Sequence, residues 1–145
     1  MLIIGYLWAL PNTIIGLLLS LLYLPKHIRW SEGCIELSDC QRLFGGIAQT
    51  HGFVIYYKTD SYRANKGIRV HERVHVKQAF LMGILFLIAY IGQFTWLYIK
   101  AKRKHQSDPW GWAYMRIWAE EDARTVENEF RSGGLSQAWG SKDAS

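Results

Sequence analysis

An HExxH motif near the middle of the chain contains the residue types of a zinc site, at His71, Glu72 and His75. No glycine or proline occurs between Ile68 and Met82, so the motif is predicted to lie on a helix. Residues four apart share one face of a helix, and both imidazoles would therefore reach one cation with the carboxylate beside them. This arrangement is typical of zinc hydrolases, in which the glutamate acts as the general base.

A catalytic zinc ion needs three protein ligands and a water, so the rest of the chain must supply one more donor. Glu120 and Glu121 lie within an amphipathic helix predicted from about residue 112 to residue 130, and one of the two is expected to face inward. Gln78 follows His75 by three residues and suits a partner that orients this imidazole. The full set of candidates after the motif is His105, Asp108, Glu120, Glu121, Asp122, Glu127 and Glu129.

Two apolar blocks predict an association with a membrane. The first, residues 1–24, is uncharged and long enough to cross a hydrocarbon layer of roughly 30 Å as a helix. It lacks the basic start and the cleavage site of a signal peptide, so we expect an uncleaved anchor that is kinked or divided at Pro11. The second block covers residues 79–99.

The basic residues follow these blocks rather than forming a separate patch, although the formal net charge is +5. Lys26 and Arg29 follow the first block, and the second is followed by Lys100, Lys102, Arg103 and Lys104. This distribution predicts a cytoplasmic, lipid-contacting location and argues against nucleic acid as a partner. The spacing of Cys34 and Cys40 fits neither a zinc knuckle nor a disulfide framework, so both are expected to be reduced thiols.

A small sheet is predicted between the two apolar blocks. Residues 30–37 and 47–58 are rich in β-branched and aromatic side chains and are bounded by glycines, which is typical of strands. Asn65 is a candidate cap for a motif helix that starts near Gly67. We therefore expect a mainly helical α+β fold in which a two- or three-stranded sheet packs on the motif helix.

The predicted domain organisation has three parts. Residues 1–24 form the membrane anchor, residues 25–131 the domain that carries the motif, and residues 132–145 a flexible tail of mostly small and polar residues. The motif helix is expected to continue into the second apolar block, with possible kinks at Gly83 and Gly92.

One stretch of the sequence resembles a known group of proteins. The segment HERVHVKQ, from His71 to Gln78, is followed by a long apolar segment and then by Ala113-Tyr114 and Glu120-x-x-Ala123. This pattern resembles small, largely uncharacterised membrane-associated proteins assigned as zinc metallopeptidases. In them a helix with HExxHVxQ precedes an Asn-Pro-Phe-Glu-x-x-Ala segment whose glutamate is regarded as the third ligand, an arrangement similar to gluzincins.

The resemblance implies a minimal zincin-like domain in which Glu72 is the general base and Glu121 is the runner-up as third ligand. Residues 117–119 read Ile-Trp-Ala where the family has Asn-Pro-Phe, so the helix that carries the glutamate is expected to begin earlier. The zinc ligands that the resemblance implies are His71, His75 and Glu120.

This third ligand constrains the topology, because all three ligands must lie on one side of a membrane. If residues 79–99 crossed the bilayer, Glu120 would be stranded on the opposite side, since residues 100–130 contain no uncharged run long enough to return. We therefore predict that the second block is a broken, re-entrant or interfacial helix, or the core helix of a membrane-seated domain.

The resulting functional prediction is a Zn²⁺-dependent metallopeptidase at the cytoplasmic membrane surface, acting on a peptide or on a membrane-proximal segment of a protein. Tyr114 and His51 are candidate donors to the oxyanion. One alternative is an intramembrane metallopeptidase with Asp108 as third ligand. Another is a non-catalytic membrane adaptor with a structural or lost metal site.

Overall fold

The computed structural model describes residues 2–44 and 46–134. Within these residues the chain is α+β and mainly helical, as predicted. The predicted tail lies outside the described residues from position 135 onward. The elements, in chain order, are α1 (Leu2–Tyr23), β1 (His27–Ser31), β2 (Cys34–Ser38), β3 (Ala48–His51), β4 (Val54–Tyr57), α2 (Asp60–Ala64), α3 (Lys66–Met82), α4 (Ile84–Arg103), α5 (Pro109–Tyr114) and α6 (Trp118–Arg131).

The four strands form one mixed sheet in the order β1-β2-β4-β3, with β2 and β4 parallel and the two outer pairs antiparallel. The prediction of two or three strands was wrong because each predicted strand is a hairpin. Glu32 and Gly33 both have positive φ, 45° and 79°, which is the conformation of a tight two-residue turn matched to the twist of the strands. The second hairpin turns at Gly52 and Phe53.

Helix α3 carries the motif and begins where the sequence predicts. The Asn65 side chain accepts hydrogen bonds from the backbone N–H groups of Gly67 and Ile68, so the predicted cap is confirmed. The helix ends at Met82, because Gly83 adopts a positive φ of 56° that interrupts the helical backbone. The predicted interruption at Gly83 is therefore confirmed, whereas α4 continues through Gly92 without a break.

Helix α3 is enclosed between the sheet and α6. Val76 packs in a buried cluster with Cys34, Ile55 and Tyr57 of the sheet. On the opposite side, Gln78 of α3 donates a hydrogen bond to the backbone of Ala119 in α6. The motif is thus fixed from two sides by elements that are distant in sequence.

After α4 ends, the chain turns and runs back along α4 through α5 and the start of α6. Trp110 of α5 packs on Phe94 with ring centroids 4.6 Å apart, and the Trp118 backbone N–H donates to Gln93 at 3.1 Å. Glu120 then reaches Tyr90, one helical turn nearer the start of α4. The return is therefore antiparallel, and it brings Glu120 back to the level of α3.

The prediction of a single helix from residue 112 to residue 130 was wrong, because this region forms two separate helices, α5 and α6. The expectation that the helix carrying Glu120 begins earlier was wrong for the same reason. Ile117 between them has an extended backbone (φ −68°, ψ 128°), and its side chain is fully buried in the cluster that also contains Ala113 and Leu97. The free energy gained by burying this side chain outweighs the helix propensity of a local sequence that contains no helix breaker. Glu120 consequently lies in the first turn of α6.

Helix α1 is packed onto the rest of the fold along one face and passes through Pro11 as a single helix. Ala9 is fully buried, and the Asn12 amide donates to the Gly83 carbonyl at 2.7 Å. Thr13 accepts a hydrogen bond from the Phe53 backbone N–H. The region predicted as an anchor therefore also contributes to the core.

The outward faces of α1 and α4 are apolar and exposed. The exposed side chains include Leu7, Leu18, Leu21, Ile88 and Trp96. Residues 5–23 and 84–103 are the two helical stretches in the described chain that are long and apolar enough to cross a membrane. Because most of α4 is unburied, the alternative that it is a core helix is disfavoured, and a re-entrant or interfacial setting stays a prediction.

Candidate metal centre

Three side chains from two helices converge at one point. The ligand atoms of His71, His75 and Glu120 all lie within 4.8 Å of one another. His71 Nε2 is 3.3 Å from Glu120 Oε2, and His75 Nε2 is 3.4 Å from Glu120 Oε1. The helical spacing of four residues places the imidazoles side by side, and the first turn of α6 supplies the carboxylate. Together these three groups are placed to hold a metal ion.

The second nitrogen of each imidazole has its own partner. His71 Nδ1 is 3.1 Å from the Glu127 carboxylate, which is also bound by Arg131. His75 Nδ1 is 2.9 Å from Gln78 Oε1, as the sequence predicted for this pair. Such partners fix the ring orientation of a ligating histidine and leave Nε2 free to face the ion.

Glu120 is almost completely buried and has one unsatisfied oxygen. Its Oε1 accepts a hydrogen bond from the Tyr90 hydroxyl at 2.7 Å. Its Oε2 lies near His71 but has no well-aligned hydrogen-bond donor. An unsatisfied carboxylate oxygen is costly inside a protein, and a bound cation would remove that cost.

The charges of the site are strongly coupled. Burial raises the pKa of Glu120, but His71 and His75 outweigh this effect and hold the pKa below its usual range. Burial lowers the pKa of His75, but Glu120 and Glu72 together raise it above the ordinary value. The carboxylate is therefore ionised at neutral pH, as a metal ligand must be.

Glu72 lies beside the cluster and lines the same cavity as His75 and Glu120. Its Oε2 accepts a hydrogen bond from the Thr50 hydroxyl at 2.7 Å. Burial raises the pKa of Glu72, against smaller opposing effects of His75 and His71. A carboxylate with a raised pKa is a stronger base and suits proton transfer near neutral pH.

The other candidates lie apart from this point. Glu121 is exposed, and Asp108 caps α5 by accepting a hydrogen bond from the Gly111 backbone N–H. His105 is exposed in the turn after α4. His51 and Tyr114 both line the cavity next to the cluster, so their predicted role as donors stays a prediction.

Sequence reasoning missed three contributors to the site. Glu127 was considered only as a ligand, although it lies seven residues from Glu120, a spacing that places both carboxylates on one face of α6. Thr50 and Tyr90 carry no motif, and their positions depend on the packing of β3 and α4 against α3. No sequence signal would have identified them.

A cavity of about 510 Å³ adjoins the cluster. Its polar lining residues include Thr50, His75 and Glu120, and α1 and α4 contribute apolar side chains such as Leu19 and Phe94. The volume lies in the range of small-molecule binding sites, which is roughly 300–1,000 Å³.

In comparison with known proteins, no family model matches the chain, and no curated protein or solved structure shows significant similarity to it. The resemblance to membrane-associated metallopeptidases therefore stays a prediction that depends on the residues quoted for it.

Proposed function

We propose that the protein is a zinc-dependent metallopeptidase that hydrolyses peptide bonds at a membrane surface. The observation that carries the proposal is the convergence of His71, His75 and Glu120 within 4.8 Å, with Glu72 in the same cavity. The three ligands are those of the gluzincin pattern that the sequence resembles.

The donor set fits zinc in its chemistry. Two imidazole nitrogens and one carboxylate oxygen are common zinc ligands, and three protein ligands leave a position for water or substrate. The buried Glu120 Oε2 without an aligned donor and the partners on the far nitrogen of each imidazole support a cation at this point.

A zinc ion held there would act as a Lewis acid and lower the pKa of a bound water to about 7. Glu72 would accept a proton from a water beside the ion and would return it to the leaving amine. Thr50 orients the Glu72 carboxylate through its hydrogen bond, while Glu127 and Gln78 hold the two imidazoles in place. All of these roles are assigned to residues that the structure describes.

The membrane setting of the proposal comes from α1 and α4. Both helices are long and apolar enough to cross a bilayer and expose apolar faces. The basic residues at the end of α4 favour a cytoplasmic orientation through their attraction to anionic lipid headgroups.

Metal content and hydrolysis test the proposal together. The 145-residue protein in detergent is expected to carry about one zinc ion per chain by elemental analysis. Glu72→Gln should keep the metal but lose hydrolysis of a fluorogenic peptide mixture by about 10² to 10⁴-fold, whereas His75→Ala should lose both. The matched variants Glu120→Gln and Glu121→Gln should differ in zinc content: Glu120→Gln should lose the zinc, and Glu121→Gln should keep it.

Different failures lead to different conclusions. Zinc retention without hydrolysis in the wild-type protein would favour the adaptor with a structural metal. Absence of zinc from the wild-type protein would overturn the metallopeptidase proposal.

A further inference from the structure

The cavity beside the metal centre is lined by two chemically distinct groups of side chains. The first group, called the polar end, contains Glu72, His75 and Glu120 of the proposed site together with polar side chains of β3. The second group, called the apolar end, contains apolar and aromatic side chains of α1 and α4, among them Leu19, Tyr23, Leu87, Ile91 and Phe94. A substrate that places its reacting bond at the polar end must therefore place a neighbouring group against the apolar wall.

The apolar end offers no charged partner. Among the described residues that line the cavity, Glu72 and Glu120 are the only carboxylates, and none is a lysine or an arginine. A charged side chain that entered this end would lose its hydration without compensation, which is strongly unfavourable. A large apolar side chain would gain from leaving water.

The rim of the cavity is apolar as well. Phe44, Ile91 and Trp110 all line the cavity, and yet they are 69%, 53% and 64% exposed. Ile91 also belongs to the exposed apolar face of α4, which has the length and hydropathy of a membrane-crossing helix. The cavity wall and the proposed lipid-contacting surface are therefore continuous at this residue.

We infer that the cavity binds a bulky apolar side chain next to the scissile bond of the substrate, and that this segment enters from the lipid side past Ile91 of α4. The substrate class is then an apolar peptide segment of a membrane-associated chain. This inference rests on the proposed function, because it takes the metal centre as the place of the reacting bond.

The first test uses binding rather than turnover. Zinc-loaded wild-type protein in detergent is titrated with peptide hydroxamates that chelate zinc and differ in one side chain, namely glycine, aspartate, leucine or phenylalanine. Leucine and phenylalanine should bind about ten-fold more tightly than glycine or aspartate, because each buries its side chain in the apolar end.

Two isoleucines of α4 provide a matched pair of variants. Ile91 lines the cavity and is 53% exposed, whereas Ile88 is 62% exposed and does not line it. Ile91→Ser should reduce the preference for leucine over glycine several-fold, and Ile88→Ser should keep it, with zinc content unchanged in both. Equal affinities for all four hydroxamates with zinc bound would overturn this inference alone, whereas absence of zinc would overturn the proposed function and this inference with it.

The route of entry is tested by spin labelling in lipid nanodiscs. Labels at Ile91→Cys and at Glu121→Cys on α6 are compared for relaxation by oxygen and by a water-soluble nickel chelate. Cys34 and Cys40 are buried, and burial raises the pKa of the Cys34 thiol to about 11, so both react slowly with the label. Ile91 should respond to oxygen and Glu121 to nickel; a nickel response at Ile91 as strong as that at Glu121 would overturn entry from the lipid side.

Discussion

Helix α3 has two charged faces that are built in opposite ways. On one face, Arg69 and Arg73 contact the fully buried carboxylate of Glu36, and Arg63 of α2 approaches the same carboxylate. All three guanidinium groups lie within 3.5 Å of it. In this arginine face, defined by these four residues, the carboxylate is therefore surrounded by permanent positive charge, although its Oε2 has no aligned hydrogen-bond donor.

The site face of α3, defined by His71, Glu72 and His75, has partners of a different chemical type. Its buried carboxylates contact imidazoles and hydroxyl groups, and the Arg124 guanidinium stays 4.0 Å from Glu120. Imidazoles can lose their proton and bind a metal, whereas guanidinium groups cannot. The comparison suggests that the arginine face maintains the fold while the site face is kept available for a ligand.

The largest expected effect comes from removing the charge at the centre of the arginine face. Glu36→Gln leaves three guanidinium groups without their buried carboxylate, so it should lower the free energy of unfolding by about 3–5 kcal/mol. Chemical unfolding in detergent measures this change, and the zinc affinity of the folded fraction should be unchanged. The matched variant Glu32→Gln removes a more exposed partner of Arg73 and should cost about 1 kcal/mol or less. A loss from Glu36→Gln as small as that from Glu32→Gln would show that the arginine face does not stabilise the fold.

An intermediate effect is expected on the site face from Glu127. Glu127→Gln weakens the contact that orients His71, so zinc affinity should fall by about 10–100-fold with little change in stability. Competition with a fluorescent chelator measures the affinity. Glu129→Gln on the same helix alters an exposed carboxylate and serves as the control. Equal zinc affinities in the two variants would contradict the orienting role of Glu127.

The smallest expected effect comes from Asp60, which pairs with Arg63 at the edge of the arginine face, and this effect depends on pH. Hydrogen bonds from Arg63, Ser38 and Arg29 hold the pKa of Asp60 below its ordinary value of 3.8. The contribution of Asp60 to the free energy of unfolding is therefore fully present above pH 3.8, and it is lost as the pH falls towards the lower pKa of the folded state. Because the side chain is 39% exposed, Asp60→Asn should cost about 0.5–1 kcal/mol at pH 7 and progressively less in acid. Unfolding curves from pH 7 to pH 2 test this; a difference that grows in acid would contradict it.

The local parts of the fold and site were predictable from sequence. The motif helix, its Asn65 cap and the contact between His75 and Gln78 all follow from spacing along one helix. Glu120 was reached through a family resemblance, and in the structure its Oε2 lies 3.3 Å from His71 Nε2; its role as a ligand stays a prediction.

The parts that depend on tertiary packing were not predictable. The break before α6 results from burial of Ile117 against α4. Each of the two predicted strands is a hairpin in the structure, because a short turn in its middle pairs its two halves. Thr50 reaches Glu72 only because β3 lies beside α3. In each case a residue distant in sequence decides the local structure, which no pattern within one segment records.

The hydrogen bond between Asn12 and Gly83 has a practical consequence for biochemical work. A fragment that starts after residue 24 would leave the Gly83 carbonyl and the Phe53 amide without their α1 partners. It would also lack Leu19 and Tyr23, which form one wall of the cavity. Deletion of α1 is therefore expected to disrupt the packing around the His71, His75 and Glu120 cluster even though the whole HExxH motif remains.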